Sequence, residues 1–250
     1  MKRYIYSYET VVRFSEPIIH HALLLRPLPV LGSYMNVEEE HLVMPSNFHA
    51  QRSIDALGNR IVYGGELEAH ASLAYVSTGI VGMESYLSPT DALPLMVYRQ
   101  TTPLTFLSEN QVETLDCPAD ALAICHKVNE WMNYSKHSTG MDTPASEVAL
   151  TRKGVCQDYA HLMVALCRAK GMAARYVCGL MEGEGETHAW VEVNDGYGWR
   201  GYDPTNDLEI SMGYIKLAHG RDASDCPVNR GTYRGKATQL TDVHVMVRQI

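Results

Sequence analysis

The chain has 250 residues, of which 46% are hydrophobic and 20% are charged, which is the composition of an ordinary globular protein. A chain of this length corresponds to one large domain or two smaller ones, and it can fold without the help of disulfides or metals. The formal net charge of −8, with no run of basic residues to offset it, argues against nonspecific binding to nucleic acid or to anionic membranes.

The sequence predicts neither a targeting segment nor a membrane segment. The opening stretch MKRYIYSYETVVRFSEP lacks the apolar run of a signal peptide, and no segment reaches the roughly 18 apolar residues of a membrane helix. The 6 cysteines form no CxxC pair and the 11 histidines form no HExxH motif, so we expect no metal site. Together these features predict a cytoplasmic protein with reduced cysteines.

Residues 1–112 have the pattern of strands separated by turns. RYIYSYETVVRF, HHALLLRPLP and EAHASLAYVSTGIVGM are rich in Tyr, Leu and β-branched residues, and RSIDALGNRIVYGG predicts two short strands joined at residues 57–59. The proline-containing SPTDALPLMVYRQTTP is predicted to be irregular. This half of the chain therefore predicts a β-sandwich-like N-terminal domain.

Residues 113–250 change to helices followed by strands. DCPADALAICHKVNEWMNY places its apolar residues on one helical face, TPASEVALTRKG predicts a shorter helix, and GVCQDYAHLMVALCRAKG predicts the longest helix, ended by Gly171. MAARYVCGLM, THAWVEV and GWRGYDP then predict strands, and TYRGKATQLTDVHVMVRQI ends as an alternating strand. Helices followed by strands indicate an α+β fold.

Cys156 falls in the first turn of the longest predicted helix. Unpaired backbone N–H groups and the helix dipole favour the reactive thiolate there, and they can stabilise an oxyanion that forms beside the sulfur. Gly154 leaves room for a substrate backbone. The charge of Asp158 opposes activation of the thiol but favours the helix N-terminus. Taken alone, the position of Cys156 favours a buried structural thiol, which is how we interpret Cys167 and Cys178.

His188 and Asp203 can supply a base and the carboxylate that orients it, because their strands are predicted to form a hairpin. A two-residue turn at 195–196 places His188 directly opposite Asp203, on one face of the sheet. The same register places Trp190 opposite Gly201, where its indole could shield the pair from water. A slip of one residue would move Asp203 to the other face. The joint placement of three such residues favours a catalytic triad over three separate structural roles.

Three segments, RKGVCQDYAHLMVALCRAKGMAARYV, THAWVEV and GWRGYDPTN, resemble the bacterial transglutaminase-like superfamily, which shares the papain-like cysteine protease core. The resemblance extends to WMNY upstream and to YIKLAHGRDASDCP downstream, and a β domain often precedes this core. It implies Cys156 as the nucleophile, His188 as general base and acid, and Asp203 as the residue that orients it. It implies no cofactor and no metal. Candidates for an oxyanion donor or a supporting side chain are Trp131, Tyr134, Gln157 and Trp190.

The resemblance predicts thiol-dependent acyl transfer on the amide bonds of a peptide or protein substrate, through a thioester. If water releases the acyl group, the enzyme is a cysteine protease or amidase; if an amine does, it is a transglutaminase. We favour hydrolysis because nothing in the sequence marks a site for an amine acceptor.

Two other functions compete with this prediction. A non-catalytic interaction protein would use the core only as a scaffold, but all three triad residues are present. A redox-sensing thiol would need a partner cysteine, and Cys167 lies about three turns further along the same predicted helix, too far for a disulfide. The sequence does not indicate an oligomeric state.

Overall fold

The computed structural model describes residues 1–32, 34–89 and 93–250, and over these residues it contains fifteen strands, four α-helices and two short 3-10 helices. The α-helices are α1 (Glu109–Thr114), α2 (Ala121–Trp131), α3 (Ala145–Thr151) and α4 (Cys156–Ala169), and the 3-10 helices are Leu95–Tyr98 and Pro103–Thr105. The strands are β1 (Lys2–Leu25), β2 (Met35–Val43), β3 (His49–Ile54), β4 (Arg60–Glu66), β5 (His70–Met83), β6 (Asn133–Tyr134), β7 (Lys153–Gly154), β8 (Ala174–Met181), β9 (Gly183–Gly185), β10 (His188–Asn194), β11 (Trp199–Asp203), β12 (Leu208–Glu209), β13 (Tyr214–Gly220), β14 (Asn229–Arg234) and β15 (Gln239–Gln249). The predicted α+β class is confirmed. Residues 90–92, in the segment predicted to be irregular, lie outside the described residues.

The first sheet has the order β2-β5-β1-β15-β9, and β3, β4 and β14 join it along the C-terminal part of β1. In β1, buried Tyr4, Tyr6 and Tyr8 alternate with more exposed residues, so one face of the strand is directed toward the core. The two strands predicted from RYIYSYETVVRF and HHALLLRPLP are in fact one strand, whose pairing with β5 is interrupted between Arg13 and Ile18.

The last strand, β15, pairs with β1 along residues 4–14. The boundary at residue 112 between a β-rich domain and a core stays a prediction, and β15 is a strand of the second segment that lies in the sheet of the first. The short strand β9 pairs with β15 and so also lies in this sheet. The smaller hairpin predicted at residues 57–59 is confirmed, since β3 pairs with β4 across it.

The second sheet is antiparallel, with the order β12-β11-β10-β8-β13. Alternate residues of its central strands face opposite sides: Val177 and Trp190 pack in a core with the tyrosines of β1, while Ala189 and Val191 pack in a core with α2 and α4. The molecule is therefore layered as first sheet, second sheet and helices, and both faces of the central strands are buried.

Side-chain caps and a glycine set the ends of the two main helices. The Asp120 carboxylate accepts a hydrogen bond from the Ala123 N–H at 2.9 Å at the start of α2. The Asp158 carboxylate accepts one from the Val155 N–H at 2.7 Å at the start of α4, so its predicted role at this helix N-terminus is confirmed. Gly171, with φ +77°, follows the last turn of α4 as predicted.

Candidate active site

Cys156 is the first residue of α4 and is half-buried, as its sequence position predicts. The residues before it form β7, which pairs in parallel with β6. A Cβ atom on Gly154 would lie 2.5 Å from the Cβ of Asp158. The close packing of the capping carboxylate therefore requires a glycine here, and the role of leaving room for a substrate backbone stays a prediction.

His188 and Asp203 are adjacent, but the predicted register between their strands is wrong by two residues. Val191 pairs with Tyr202 and Glu192 pairs with Gly201, because the connection between β10 and β11 takes four residues, 195–198, and not two. A shift of two residues keeps every side chain on its face of the sheet. His188 and Asp203 are therefore diagonal neighbours, and Nε2 of His188 lies 2.7 Å from Oδ2 of Asp203.

Asp203 is completely buried and accepts hydrogen bonds on both carboxylate oxygens. Oδ2 accepts from His188, from the amide of Asn206 at 2.7 Å and from the hydroxyl of Tyr214 at 2.7 Å, and Oδ1 accepts from the backbone N–H groups of Thr205 and Asn206. Burial alone would raise the pKa of Asp203, but these bonds and the charge of His188 hold it below its ordinary value. The carboxylate is thus held ionised and in one orientation.

Sequence reasoning missed both side chains that support Asp203. Asn206 was open to prediction, because an Asp followed three residues later by Asn, directly after a strand, is typical of a turn held by side-chain to backbone bonds. Tyr214 lies at the start of β13, on the other side of β8 from the predicted hairpin. Only the tertiary order of the strands brings it to Asp203.

His188 is held between the carboxylate and the thiol. Burial lowers its pKa, but hydrogen bonds to Asp203 and to Cys156, together with the charges of both, raise it to about 10. Because Nε2 contacts Asp203, the other ring nitrogen, Nδ1, is the one that faces Cys156. The carboxylate and the thiol therefore favour the protonated imidazole, which presents an N–H to the sulfur.

Trp190 lies beside the imidazole, as predicted, and is fixed by a buried polar network. Its ring is nearly parallel to that of His188, with centroids 6.4 Å apart, and its N–H donates to the hydroxyl of Tyr86 at 2.8 Å. The Tyr86 hydroxyl in turn donates to the buried carboxylate of Glu192 at 2.6 Å. Arg175 and Lys216 contact the same carboxylate and hold its pKa at about 2, although burial alone would raise it.

The remaining candidates for an oxyanion donor lie in different surroundings. Tyr134 lines a cleft with Cys156, is 52% exposed and has its pKa raised by partial burial and by the charge of Cys156. Trp131 donates its indole N–H to the Ala149 carbonyl at 3.3 Å and stacks under a guanidinium group, away from the clefts around the thiol. The side-chain amide of Gln157 donates to the Met141 carbonyl at 3.1 Å. Tyr134 and Gln157 each line one of the two clefts together with Cys156, whereas Trp131 lines neither.

Two clefts meet at the thiol, and Val155, Cys156, Thr187 and His188 line both of them. The wide cleft, about 550 Å³, is lined by residues 181–188 on one side and by Tyr134, Lys136, His137 and Thr139 on the other. The second cleft, about 350 Å³, is lined in part by β1 and β15. The first sheet therefore forms part of the wall around the candidate nucleophile.

The other cysteines differ sharply from Cys156. All five are buried, and burial raises the pKa of Cys178 and of Cys125 to about 12.

Among the described residues, no group of three His, Cys, Asp or Glu side chains is arranged to hold a metal ion. Within the same residues, no helix combines the length and the hydropathy needed to cross a membrane.

One family model matches the part of the chain that holds these residues. Residues 107–204 match the model of the family described as the transglutaminase-like superfamily, and this segment contains Cys156, His188 and Asp203. This segment, which is less than half of the chain, is therefore similar to the transglutaminase-like superfamily. The resemblance inferred from the sequence is thereby confirmed.

Relatives in sequence cover only parts of the chain. An uncharacterized protein of Mycobacterium tuberculosis is 40% identical over 131 residues, which are 46% of this chain and 42% of the relative. An uncharacterized protein of Mycobacterium leprae is 35% identical over 129 residues, 48% of this chain and 46% of the relative. A protein-glutamine gamma-glutamyltransferase of Pseudomonas aeruginosa is 32% identical over 116 residues, 39% of this chain and 17% of that enzyme. The chain thus spans less than half the length of these relatives.

A solved structure matches the whole fold. The crystal structure described as that of "a Putative Cysteine Protease from Cytophaga hutchinsonii" aligns with a TM-score of 0.82 over 100% of this chain and 91% of that one, at 21% identity. The predicted papain-like, transglutaminase-like core is confirmed by this likeness, and the β-sandwich-like N-terminal domain stays a prediction. At this identity it carries over the fold alone.

Proposed function

We propose that this transglutaminase-like protein is a thiol-dependent enzyme that hydrolyses amide bonds of a peptide or protein, as a cysteine protease or amidase. The observation that carries the proposal is the chain of hydrogen bonds from Asp203 through His188 to Cys156, at the junction of two clefts. A cation next to a thiol favours the thiolate, which is the nucleophilic form.

In the first half of the reaction, the Cys156 thiolate attacks the amide carbonyl carbon and forms a C–S bond. The carbonyl oxygen becomes an oxyanion, for which the backbone N–H of Cys156 and the hydroxyl of Tyr134 are the proposed donors. The His188 imidazolium then gives its Nδ1 proton to the amide nitrogen as the C–N bond breaks, so the amine leaves neutral and a thioester remains.

In the second half, His188 is neutral and accepts a proton from an incoming water molecule. The water oxygen adds to the thioester carbonyl, the C–S bond breaks, and the products are the carboxylic acid and the original thiolate–imidazolium pair. Asp203 stabilises the imidazolium each time it forms and holds the ring with Nδ1 toward the sulfur. Its ionised state follows from the five hydrogen bonds that it accepts.

Transfer to an amine is the second candidate function, and one observation favours it. Glu182, Glu184 and Glu186 line the wide cleft and would attract a protonated amine acceptor. The attraction is weakened because Glu184 pairs with Arg248 and Glu186 lies 3.6 Å from Lys136. We therefore retain hydrolysis as the proposal.

A cytoplasmic location of the protein stays a prediction from the sequence.

The test is incubation of the protein with casein, with and without monodansylcadaverine, followed by mass spectrometry of the products. New peptide termini that are absent with Cys156→Ser support hydrolysis. Dansyl groups on glutamine side chains, again dependent on Cys156, would support the transglutaminase instead. If neither product exceeds that of the Cys156→Ser variant, with casein and with a mixed proteome-derived peptide library, the enzymatic proposal is contradicted and a scaffold role is favoured.

A further inference from the structure

The smaller cleft at Cys156 has a lining suited to an apolar group. We call it the sheet-walled chamber; it measures about 350 Å³ and is lined in part by Tyr8 and Thr10 of β1, Thr241 and Val243 of β15, and Cys178 and Ala189 of the second sheet. Among the described residues, no Asp, Glu, Lys or Arg lines it. Its volume lies within the range of sites that bind small molecules or large side chains.

Strand geometry explains why the first sheet presents these residues. Thr10 pairs with Val243 across the β1–β15 ladder, and Tyr8 and Thr241 lie two residues along their strands from this pair, so all four share one face. The neighbouring Asp242 lies on the opposite face, where it pairs with Arg13. The alternation of β1 and β15 thus keeps charged groups out of the chamber.

The two clefts at the thiol therefore differ in chemistry. Cys156 and His188 line both clefts. Apart from them, the wide cleft is lined by three glutamates, a lysine and a second histidine, whereas the chamber is lined by aromatic, aliphatic and thiol groups with a few neutral polar ones. An extended substrate that passes Cys156 meets both. Burial of an apolar group in the chamber is favourable, while a charged group there would lose its hydration without a partner.

We propose that the sheet-walled chamber binds an apolar side chain of the substrate next to the scissile amide, and that β1 and β15 therefore determine specificity. This inference rests on the proposed function, because it assigns the substrate class of the same site. It gives the N-terminal strand a direct part in substrate selection.

The experiment measures second-order rates of alkylation of Cys156 by N-phenethyl chloroacetamide and by N-(2-hydroxyethyl) chloroacetamide. In both reactions the thiolate displaces chloride and forms a thioether, and each rate is divided by that of glutathione with the same reagent. Iodoacetamide, which has no side group, reports the reactivity of the thiol itself. We expect the phenethyl reagent to react about tenfold faster than the hydroxyethyl reagent, or more, after this correction.

Val243→Phe fills the chamber and should bring the corrected ratio close to one, and its rate with iodoacetamide is measured to account for any change in the reactivity of the thiol itself. Thr241→Phe is a second filling variant, at a position that is already exposed and whose folding does not depend on repacking a core. His244→Phe is the matched control, because His244 is exposed on the same strand and does not line the chamber. This control should keep the wild-type ratio.

A fast reaction with iodoacetamide and a corrected ratio near one in the wild-type protein would overturn the inference and leave the proposed function standing. A ratio that survives both filling variants would also overturn it, because the selectivity would then arise elsewhere. A slow reaction with iodoacetamide would contradict the proposed function and, with it, the inference.

Discussion

Replacement of Asp203 by asparagine removes the negative charge that holds His188 protonated. In the structure, Oδ2 of Asp203 lies 2.7 Å from Nε2 of His188, and the pKa of His188 is about 10, against an ordinary value of 6.5. At 1.36 kcal/mol for each pH unit, this interval corresponds to about 5 kcal/mol of preference for the imidazolium in the folded protein. Burial acts in the opposite direction, so without the carboxylate we expect the pKa of His188 to fall, although the neighbouring Cys156 still raises it.

The assay is NMR titration of the His188 ring between pH 5 and pH 11, in wild-type protein and in Asp203→Asn. In the wild type the ring should stay protonated up to about pH 10, and in the variant it should lose its proton at a clearly lower pH. Asparagine is nearly isosteric and can still accept on one oxygen, so the fold should persist. A wild-type ring that titrates near 6.5, or a variant that titrates together with the wild type, would refute the assignment of Asp203 as the source of the shift.

The same shift predicts the direction of a change in stability with pH. The pKa of His188 in the folded state lies above its unfolded value, so protonation stabilises the fold fully below about pH 6.5, and this contribution is lost as the pH rises through about 10. The free energy of unfolding, measured in urea, should therefore fall more steeply between pH 7 and pH 10 in the wild type than in Asp203→Asn. Parallel profiles would contradict the linkage.

Three further predictions concern the surroundings of the site. Gly154→Ala should lower the free energy of unfolding in urea by about 1–3 kcal/mol, because its Cβ would overlap Asp158. Gly185→Ala is the control: its Cβ meets no atom within 4 Å, so the change should stay within about 0.5 kcal/mol in the same assay. Tyr86→Phe should cost about 1–3 kcal/mol, since it leaves an indole N–H and a buried carboxylate each short of one hydrogen bond; an unchanged urea midpoint would show that the network is dispensable. Iodoacetamide at pH 7 should leave Cys178 unlabelled in peptide maps, because it is buried and its pKa is about 12, and substantial labelling there would contradict the burial.

Local signals made the helix that carries Cys156 predictable. A glycine closes it, a carboxylate caps it and its apolar spacing is helical, and all three depend on residues within one helix length. The hairpin was harder to place, because Asp195 accepts backbone hydrogen bonds from Tyr197 and Gly198 and so stabilises a longer connection than the two-residue turn that Asp-Gly suggests. The His–Asp contact survived this error because a shift of two residues preserves the face of a strand.

Contacts between distant parts of the chain could not be predicted from the sequence. The pairing of β15 with β1, the hydroxyl of Tyr86 beneath Trp190 and the hydroxyl of Tyr214 on Asp203 each join segments whose order in the sheets is set by tertiary packing. For the same reason the residues of the first sheet that line the cleft beside Cys156 could not be named from the sequence. Its alternating pattern shows which residues of β1 share a face, but not what that face covers.

The pH dependence of alkylation of Cys156 shows whether Cys156 and His188 form an activated thiolate–imidazolium pair. Limiting iodoacetamide is applied between pH 5 and pH 9, and the labelled cysteine is mapped by mass spectrometry in the wild type and in His188→Ala. An ordinary thiol, with a pKa near 8.5, would react about 80-fold more slowly at pH 6 than at pH 8. We predict that the rate at Cys156 changes by less than about threefold over this interval in the wild type, and that His188→Ala restores the steep dependence. A steep dependence in the wild type, unaltered by the loss of His188, would show that Cys156 and His188 form no thiolate–imidazolium pair.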